Sequence, residues 1–367
     1  MNVKKLSIIN FRNLLPKEVY LYDYVNIICG DNAQGKTNML ESIWMFTGGR
    51  SFRGTKDSGL IQFGKENATL NMDFFAGSRN QTMEIKIEKN KRTAMLNGIN
   101  KGISTSIIGN FCAVIFSPAH LNMVKGGPSE RRKFIDAAIC QIKPSYAILL
   151  SKYNRVLEQR NSLLKDIKYH SDLIDTLDIW ESKLASYASS ILLERKKHTQ
   201  KLSKIASKIY NGISRGNEIL DLSYNSSIGC VDDEKAIIYK TFIEEIVKKR
   251  KDDISLGFST IGPHRDDITI KINGKSAKEF GSQGQQRSSV LVLKLAEAEL
   301  LKQENDDAPV ILLDDVMSEL DPKRQQYILN SIKGFQVFIT CCEPETLLRL
   351  TNGRIFELNE GTIKMKS

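Results

Sequence analysis

The sequence predicts an α/β fold whose sheet is built from both ends of the chain, with a mostly helical lobe inserted between them. Three observations predict it. Val25–Cys29 is an apolar strand pattern that ends at a glycine-bearing turn, and a helical pattern follows from Lys36 to about Phe46. From Pro128 to about Arg250 the pattern becomes helical. After Ser255 the alternation of strand, turn and helix returns. The chain therefore divides into residues 1–127, a helical insertion at 128–254, and residues 255–367, with the first and last segments forming one domain. A length of 367 residues suits one large domain with an insertion, or two domains.

Each element has a local reason. Residues 1–30 read as two strands, around Val3–Ile9 and Val25–Cys29. Residues 68–96 alternate apolar and polar side chains between Asn, Lys and Gly turns, which predicts an antiparallel meander. In the insertion, Leu173, Leu177, Trp180, Leu184, Tyr187, Ile191, Arg195, His198, Leu202, Ile205 and Ile209 step by threes and fours. That seam predicts an amphipathic helix packed on a small domain, because too few residues remain for a long antiparallel arm at about 1.5 Å per residue. In the last third, Thr269–Ile272 with Asn273-Gly274 predicts a hairpin, and a helix spans about Gln285 to Lys302. Val310–Leu313 and Gln336–Thr340 read as buried strands, and Arg354–Leu358 as a last edge strand.

Composition narrows the class. Apolar residues make up 41% and charged residues 26%, as in ordinary globular proteins. A formal net charge of +10 favours polyanionic partners through phosphate contacts and counterion release. The six cysteines form no C-x-x-C pair, which fits reduced thiols in a cytoplasmic setting. The N-terminal apolar stretch breaks at Asn10, Arg12 and Asn13, too early for a signal-peptide core. No segment offers about 18 uninterrupted apolar residues, so no membrane partner is expected.

Two motifs carry the chemistry. Gly30-Asp31-Asn32-Ala33-Gln34-Gly35-Lys36-Thr37 is a complete G-x-x-x-x-G-K-T, with a strand before it and a helix after it. Its glycines let backbone N–H groups curl around phosphate oxygens, and the helix N-terminus adds partial positive charge. Lys36 is expected to reach the β- and γ-phosphates of ATP, and the Thr37 hydroxyl to hold Mg²⁺. Val310-Ile311-Leu312-Leu313-Asp314-Asp315 is an apolar strand ending in two acids. After a phosphate loop, Asp314 is expected in the Mg²⁺ shell and Asp315 as general base for the attacking water.

A third segment separates families. Ser282-Gln283-Gly284-Gln285 precedes a helix, upstream of the acidic strand, and Ser318-Glu319-Leu320-Asp321 follows that strand. In this order the segments resemble the signature and D-loop of ABC-type ATPases. Asn10-Phe11-Arg12-Asn13 resembles the opening of SMC-type and RecF-type ATPases, where the Arg–Asn pair lies against nucleotide phosphates. Residues 49–53, 116–118, 126–136 and 262–267 are similar to segments of the RecF family. The resemblance implies an ABC-type P-loop ATPase head with a mostly helical inserted second lobe. It also implies that Ser282 and Gly284 serve the ATP of a second copy, so that ATP closes a homodimer on duplex DNA at single-strand gaps. RecR and RecO are the implied protein partners, leading to RecA loading.

Two positions depart from the wider ABC pattern. Asp315 stands where many members have glutamate, which predicts slow hydrolysis, and Thr340 stands where transporters carry a switch histidine. Gln62 is the candidate Q-loop glutamine. His120, His170 and His198 read as surface or packing residues, whereas His264 lies in a glycine–proline turn beside Arg265, Asp266 and Asp267. Arg131, Arg132 and Lys133, the Arg195-Lys196-Lys197 run, and Lys248, Lys249 and Arg250 are candidate DNA-backbone contacts. The alternatives are an SMC-like structural ATPase and a nucleotide-switched DNA-binding module without meaningful turnover.

Overall fold

From the N-terminus, β1 (Asn2–Ile9), β2 (Lys17–Tyr20) and β3 (Val25–Cys29) lead into α1 (Lys36–Trp44) in the computed structural model, which describes residues 1–344 and 353–366. Then come β4 (Asn67–Ala76), β5 (Arg79–Glu88), β6 (Lys91–Leu96), β7 (Ile99–Ile103) and β8 (Ala113–Phe116). The helical stretch holds α2 (Asn122–Lys125), α3 (Pro128–Ile142), α4 (Pro144–Ile167) and α5 (Leu177–Ser214). It continues through β9 (Leu220–Asn225), α6 (Lys235–Lys248) and α7 (Arg250–Leu256). Next are β10 (Asp267–Ile272), β11 (Lys275–Ser276), α8 (Ala277–Phe280) and α9 (Gln283–Glu304). The chain closes with β12 (Val310–Leu313), α10 (Pro322–Ser331), β13 (Val337–Cys341), β14 (Arg354–Asn359) and β15 (Thr362–Lys366).

Two compact units result: Met1–Leu121 with Gly212–Gly216 and Val290–Ser367, and Asn122–Asn211 with Asn217–Ser289. The first unit carries two sheets. One is antiparallel, ordered β2-β1-β4-β5-β6-β7, and contains the meander expected from residues 68–96. The other is ordered β15-β14-β3-β13-β12-β8, with parallel pairing throughout except between β14 and β15. Four-residue apolar runs suit its interior, where strands are covered on both faces; β12 and β8 are buried at every position. Ile28, Leu312, Phe338, Leu6, Phe74 and Phe111 belong to one apolar core that both sheets share. The Gln336 amide joins the sheets: it accepts from Val3 N at 2.6 Å and donates to the carbonyls of Val3 and Tyr22 at 2.8 Å.

The second unit packs its helices around β11-β10-β9. The stepped seam falls in α5, a helix of 38 residues in which Leu184, Ile191, Arg195, His198 and Leu202 are buried. Arg195 survives inside because its guanidinium grips both carboxylate oxygens of Asp136, at 2.9 and 2.8 Å, and donates to the Pro263 carbonyl. Arg160 is fully buried between Asp253 at 2.7 Å and Glu181 at 2.8 Å.

Three expectations need correction. Residues 255–289 belong to the helical unit, not with residues 290–367. The cause is pairing: β10 lies antiparallel along β9, and Ser259 and Thr260 donate to Asn161 and Asp253. Leu220–Asn225, the partner strand, escaped the sequence reading although its burial alternates over Leu220–Ser223. Finally, Arg354–Asn359 is not an edge: β15 lies on one side of it and β3 on the other.

Candidate active site

In the first unit, β3 and β12 deliver their C-terminal ends to one side of the parallel sheet, where ligands bind in such folds. The loop after β3 adopts the curled backbone its sequence suggests. Gly30, Ala33 and Gly35 have φ of 150°, 66° and 109°. A Cβ on Gly35 would meet Asn13 Oδ1 and Leu14 Cδ2 at 2.9 Å each, so glycine is required there. Lys36 Nζ folds back to donate to the carbonyls of Gly30 (2.6 Å) and Asp31 (3.1 Å), with Cys342 Sγ at 3.4 Å. Exposed Asp31 and Asn32 form the outer part of the loop, and Gln34 Oε1 accepts the Glu360 N–H at 2.5 Å, pinning the loop to the β14–β15 turn.

Thr37 Oγ1 donates to Asp314 Oδ1 at 2.8 Å, so residues far apart in sequence meet. Asp314 is only 6% exposed. Burial raises its pKa above the usual carboxylate range, while hydrogen bonds from Thr37 and Thr340 act the other way. Thr340 Oγ1 lies 3.1 Å from Asp314 Oδ1 and accepts the Asp315 N–H at 2.8 Å. Thr340 thus ties the Asp314 carboxylate to the Asp315 backbone, a role the sequence did not suggest. Asp315 is exposed, with φ of 54°, and its Oδ1 accepts from Ser318 Oγ at 3.1 Å. Such left-handed backbone in a non-glycine residue concentrates at functional sites. The Glu319 side chain lies outside the described residues.

The donor set fits a magnesium ion. Mg²⁺ takes one or two carboxylates, a hydroxyl and substrate phosphates rather than an all-protein cage. Thr37 and Asp314 supply a hydroxyl and a buried acid already in contact. Among the described residues there is no group of three or more His, Cys, Asp or Glu that could hold a metal by itself.

Arg12 and Asn13 brace this loop. Arg12 forms a bidentate pair with Glu41 of α1, at 2.9 and 3.0 Å, and Nη1 donates to the Gly59 carbonyl. Glu41 is fully buried and also accepts from Ser51 Oγ. Removing a partner from a buried ion pair costs about 3–5 kcal/mol, so Arg12 is held firmly. Glu41 was missed in the sequence, although an acid within the apolar run Met39–Trp44 signals a buried partner. Asn13 donates to the Ala33 carbonyl at 3.3 Å and accepts from Asn38 at 2.7 Å. Gln62 donates its backbone N–H to Asn10, at the start of a turn that leaves Phe63 fully exposed.

In the second unit, the 282–285 segment is a reciprocal helix cap. Ser282 Oγ accepts from Gln285 N at 3.2 Å, and Gln285 Oε1 accepts from Ser282 N at 2.8 Å. Gln285 Nε2 donates to Glu218 at 2.6 Å. Among the described residues the serine oxygen only accepts. Ser282 and Gln283 are exposed, and Gly284 is half-buried.

The segments that narrowed the family turn out to hold each other. Arg131 is 7% exposed and pairs with both oxygens of Asp267, at 2.7 and 2.9 Å. Arg132 donates to the Asp266 carbonyl. Asp266 is buried under the Ser227 N–H and hydroxyl and the Tyr224 hydroxyl. His264 Nε2 faces the Ser259 carbonyl at 3.1 Å and Nδ1 faces the Tyr153 hydroxyl at 2.7 Å. Burial lowers its pKa to about 4, so it is a neutral packing residue.

As DNA contacts, Arg131 and Arg250 are therefore corrected. Arg131 is committed internally, and Arg250 binds Glu181 and Asp178. Lys133, Lys248 and Lys249 are exposed but pair with Glu130, Glu245 and Asp252 one helical turn away. Of the other histidines, His198 is buried and His120 half-buried, and desolvation lowers the pKa of both. The six cysteines form no disulfide. No described helix is long and apolar enough to cross a membrane.

Comparison with known proteins agrees with this geometry. Residues 2–363 match the RecF/RecN/SMC N-terminal domain. The DNA replication and repair protein RecF of Ruminiclostridium cellulolyticum is 43% identical over 99% of both chains. RecF of Acetivibrio thermocellus is 41% identical over 94% of both. A solved structure of the recombination mediator protein RecF-ATPrS in the RecFOR pathway superposes with a TM-score of 0.93 at 38% identity, covering 100% of this chain and 98% of that one. With the phosphate loop, the acidic strand and near-complete coverage in agreement, the chain belongs to the RecF family of ABC-type ATPases.

Proposed function

We propose that this protein is an ATP-dependent, duplex-DNA-binding ATPase of recombinational repair and replication, working as an ATP-closed homodimer. The carrying observation is the meeting of Thr37 and Asp314 beside the Gly30–Thr37 loop, in a chain alike over its whole length to RecF proteins. ATP binds with its phosphates on the loop N–H groups. Lys36 leaves its own carbonyls for the β- and γ-phosphates, a flexible ammonium exchanging neutral acceptors for charged ones. When bound between Thr37 and the phosphates, with Asp314 in its shell, Mg²⁺ would neutralise charge on the phosphate oxygens. Asp315 accepts the proton of the attacking water, held at its station by the Thr340 hydroxyl and Ser318.

The second copy completes the site. Ser282 donates its hydroxyl proton, and the helix tip at Gly284 its N–H groups, to the γ-phosphate held by its twin. ATP thus becomes part of the interface, and if it favours the closed pair, closed pairs hold it more tightly. DNA at junctions of single and double strand is the proposed substrate surface. RecR and RecO are the proposed partners toward RecA loading and the SOS response, in the cytoplasm at the nucleoid.

A second reading has one observation in its favour. The Asp315 carboxylate is short and bonded to Ser318, which suits a nucleotide-switched clamp with little turnover. Sedimentation velocity with saturating ATP and Mg²⁺ tests the main reading: a dimer is expected with nucleotide and a monomer without it. A chain that stays monomeric at high protein concentration refutes it. Phosphate release in the presence of duplex DNA separates slow hydrolysis from none.

A further inference from the structure

Between Glu194 and Glu218 the chain carries seven Lys and Arg residues and no Asp or Glu. Two of the seven serve the fold: Arg195 grips Asp136, and Lys196 pairs with Asp233 at 2.8 Å. Four others, Lys197, Lys201, Lys204 and Lys208, are exposed along α5. Their spacing of four, three and four residues keeps them within about 60° of arc at roughly 100° per residue. The opposite face is fixed inward by buried Leu202, Ala206 and Tyr210, so the stripe faces outward.

Like charges at three- and four-residue spacing destabilise a helix. At Lys133, Lys248 and Lys249 an acid one turn away offsets the charge. Within the stripe, and among the described residues, Lys197, Lys204 and Lys208 make no salt bridge. The stripe spans roughly 16 Å at about 1.5 Å per residue. One DNA strand offers a phosphate about every 3.4 Å of axis, so roughly five lie along that length.

We propose that this lysine stripe, rather than the basic clusters at 131–133 and 248–250, grips the phosphate backbone of duplex DNA. The inference rests on the DNA-binding reading above and assigns its surface. The contact is electrostatic and independent of base sequence, since lysines meet phosphates as point charges.

The test measures binding of the full-length chain, with ATP and Mg²⁺, to a labelled DNA duplex across a salt series. Each of Lys197→Gln, Lys201→Gln, Lys204→Gln and Lys208→Gln is expected to reduce the slope of log affinity against log salt by about 1, and the four together by about 3–4. Lys248→Gln with Lys249→Gln is expected to leave the slope unchanged. Monomer ATP affinity serves as the folding control, and the single variants keep the test decisive if the fourfold variant misfolds. Unchanged slope and affinity in folded stripe variants would overturn the assignment while leaving DNA binding intact. A wild-type chain that binds no duplex at any salt would instead sink the DNA-binding reading on which it rests.

Discussion

Glu218→Gln changes one carboxylate, yet it reaches the tip of the signature segment. Glu218 accepts from Gln285 Nε2 at 2.6 Å and from the Tyr210 hydroxyl at 3.0 Å. Because a carboxylate only accepts, it turns the Gln285 amide so that its oxygen meets Ser282 N, which seats the serine. Glutamine at 218 can keep a neutral hydrogen bond but loses the charge-assisted one, a difference of about 1 kcal/mol. In a head-to-tail pair the loss occurs twice, about 2 kcal/mol in all, or roughly 30-fold in the dimer dissociation constant. Sedimentation at saturating ATP over a range of protein concentrations reads that constant directly. Nucleotide titration at concentrations where the chain is monomeric is expected to give wild-type affinity, since the phosphate loop belongs to the other compact unit. A dimer constant within about twofold of wild type would refute the reasoning, because the expected shift is more than a factor of 10.

Lys36→Ala removes the ammonium from the phosphate loop and is expected to weaken ATP binding at least 10-fold and to abolish ATP-dependent dimerisation, as read by nucleotide titration and sedimentation. Arg160→Met strands Asp253 and Glu181, but Thr260 still donates to Asp253 and Arg250 still holds Glu181. The cost is therefore expected at the low end for a broken buried pair, about 3 kcal/mol, and urea unfolding measures it. Burial lowers the pKa of His198 and His264 to about 4, from 6.5 for an ordinary histidine. The unfolded chain thus takes up these protons first, so their stability contribution is present above pH 6.5 and is lost as pH falls towards 4. Each accounts for about 3 kcal/mol at most by linkage, and thermal melting between pH 7 and 4.5 should show a steeper decline than in His264→Gln.

Much of the fold was legible in the sequence because it rests on local signals. Val25–Cys29 and Val310–Leu313 are short apolar runs bounded by turns, and the meander alternates strictly. The phosphate loop was readable because its backbone demands glycine at fixed places. What escaped depends on partners distant in sequence. Nothing local says that Arg131 closes on Asp267, 136 residues on, so a basic run on a helix read as a solvated or DNA-facing surface. Spacing also gave no hint that Asp267–Ile272 would pair with β9, or that residues 255–289 would leave the domain to which their position assigned them. Thr340 read as a missing histidine, whereas its hydroxyl bonds the Asp314 carboxylate and the Asp315 backbone N–H.

The Arg131–Asp267 clasp has an evolutionary consequence. The pair joins two of the segments by which the sequence resembles the RecF family. Loss of Asp267 alone would strand the buried Arg131 guanidinium, whereas Asp267 is half-buried and keeps contact with water, so the coupling runs mainly from the arginine side. A homologue with an apolar residue at one and a neutral residue at the other would be a viable variant of the lineage. One retaining only the arginine would have had to rebuild the neighbourhood around it.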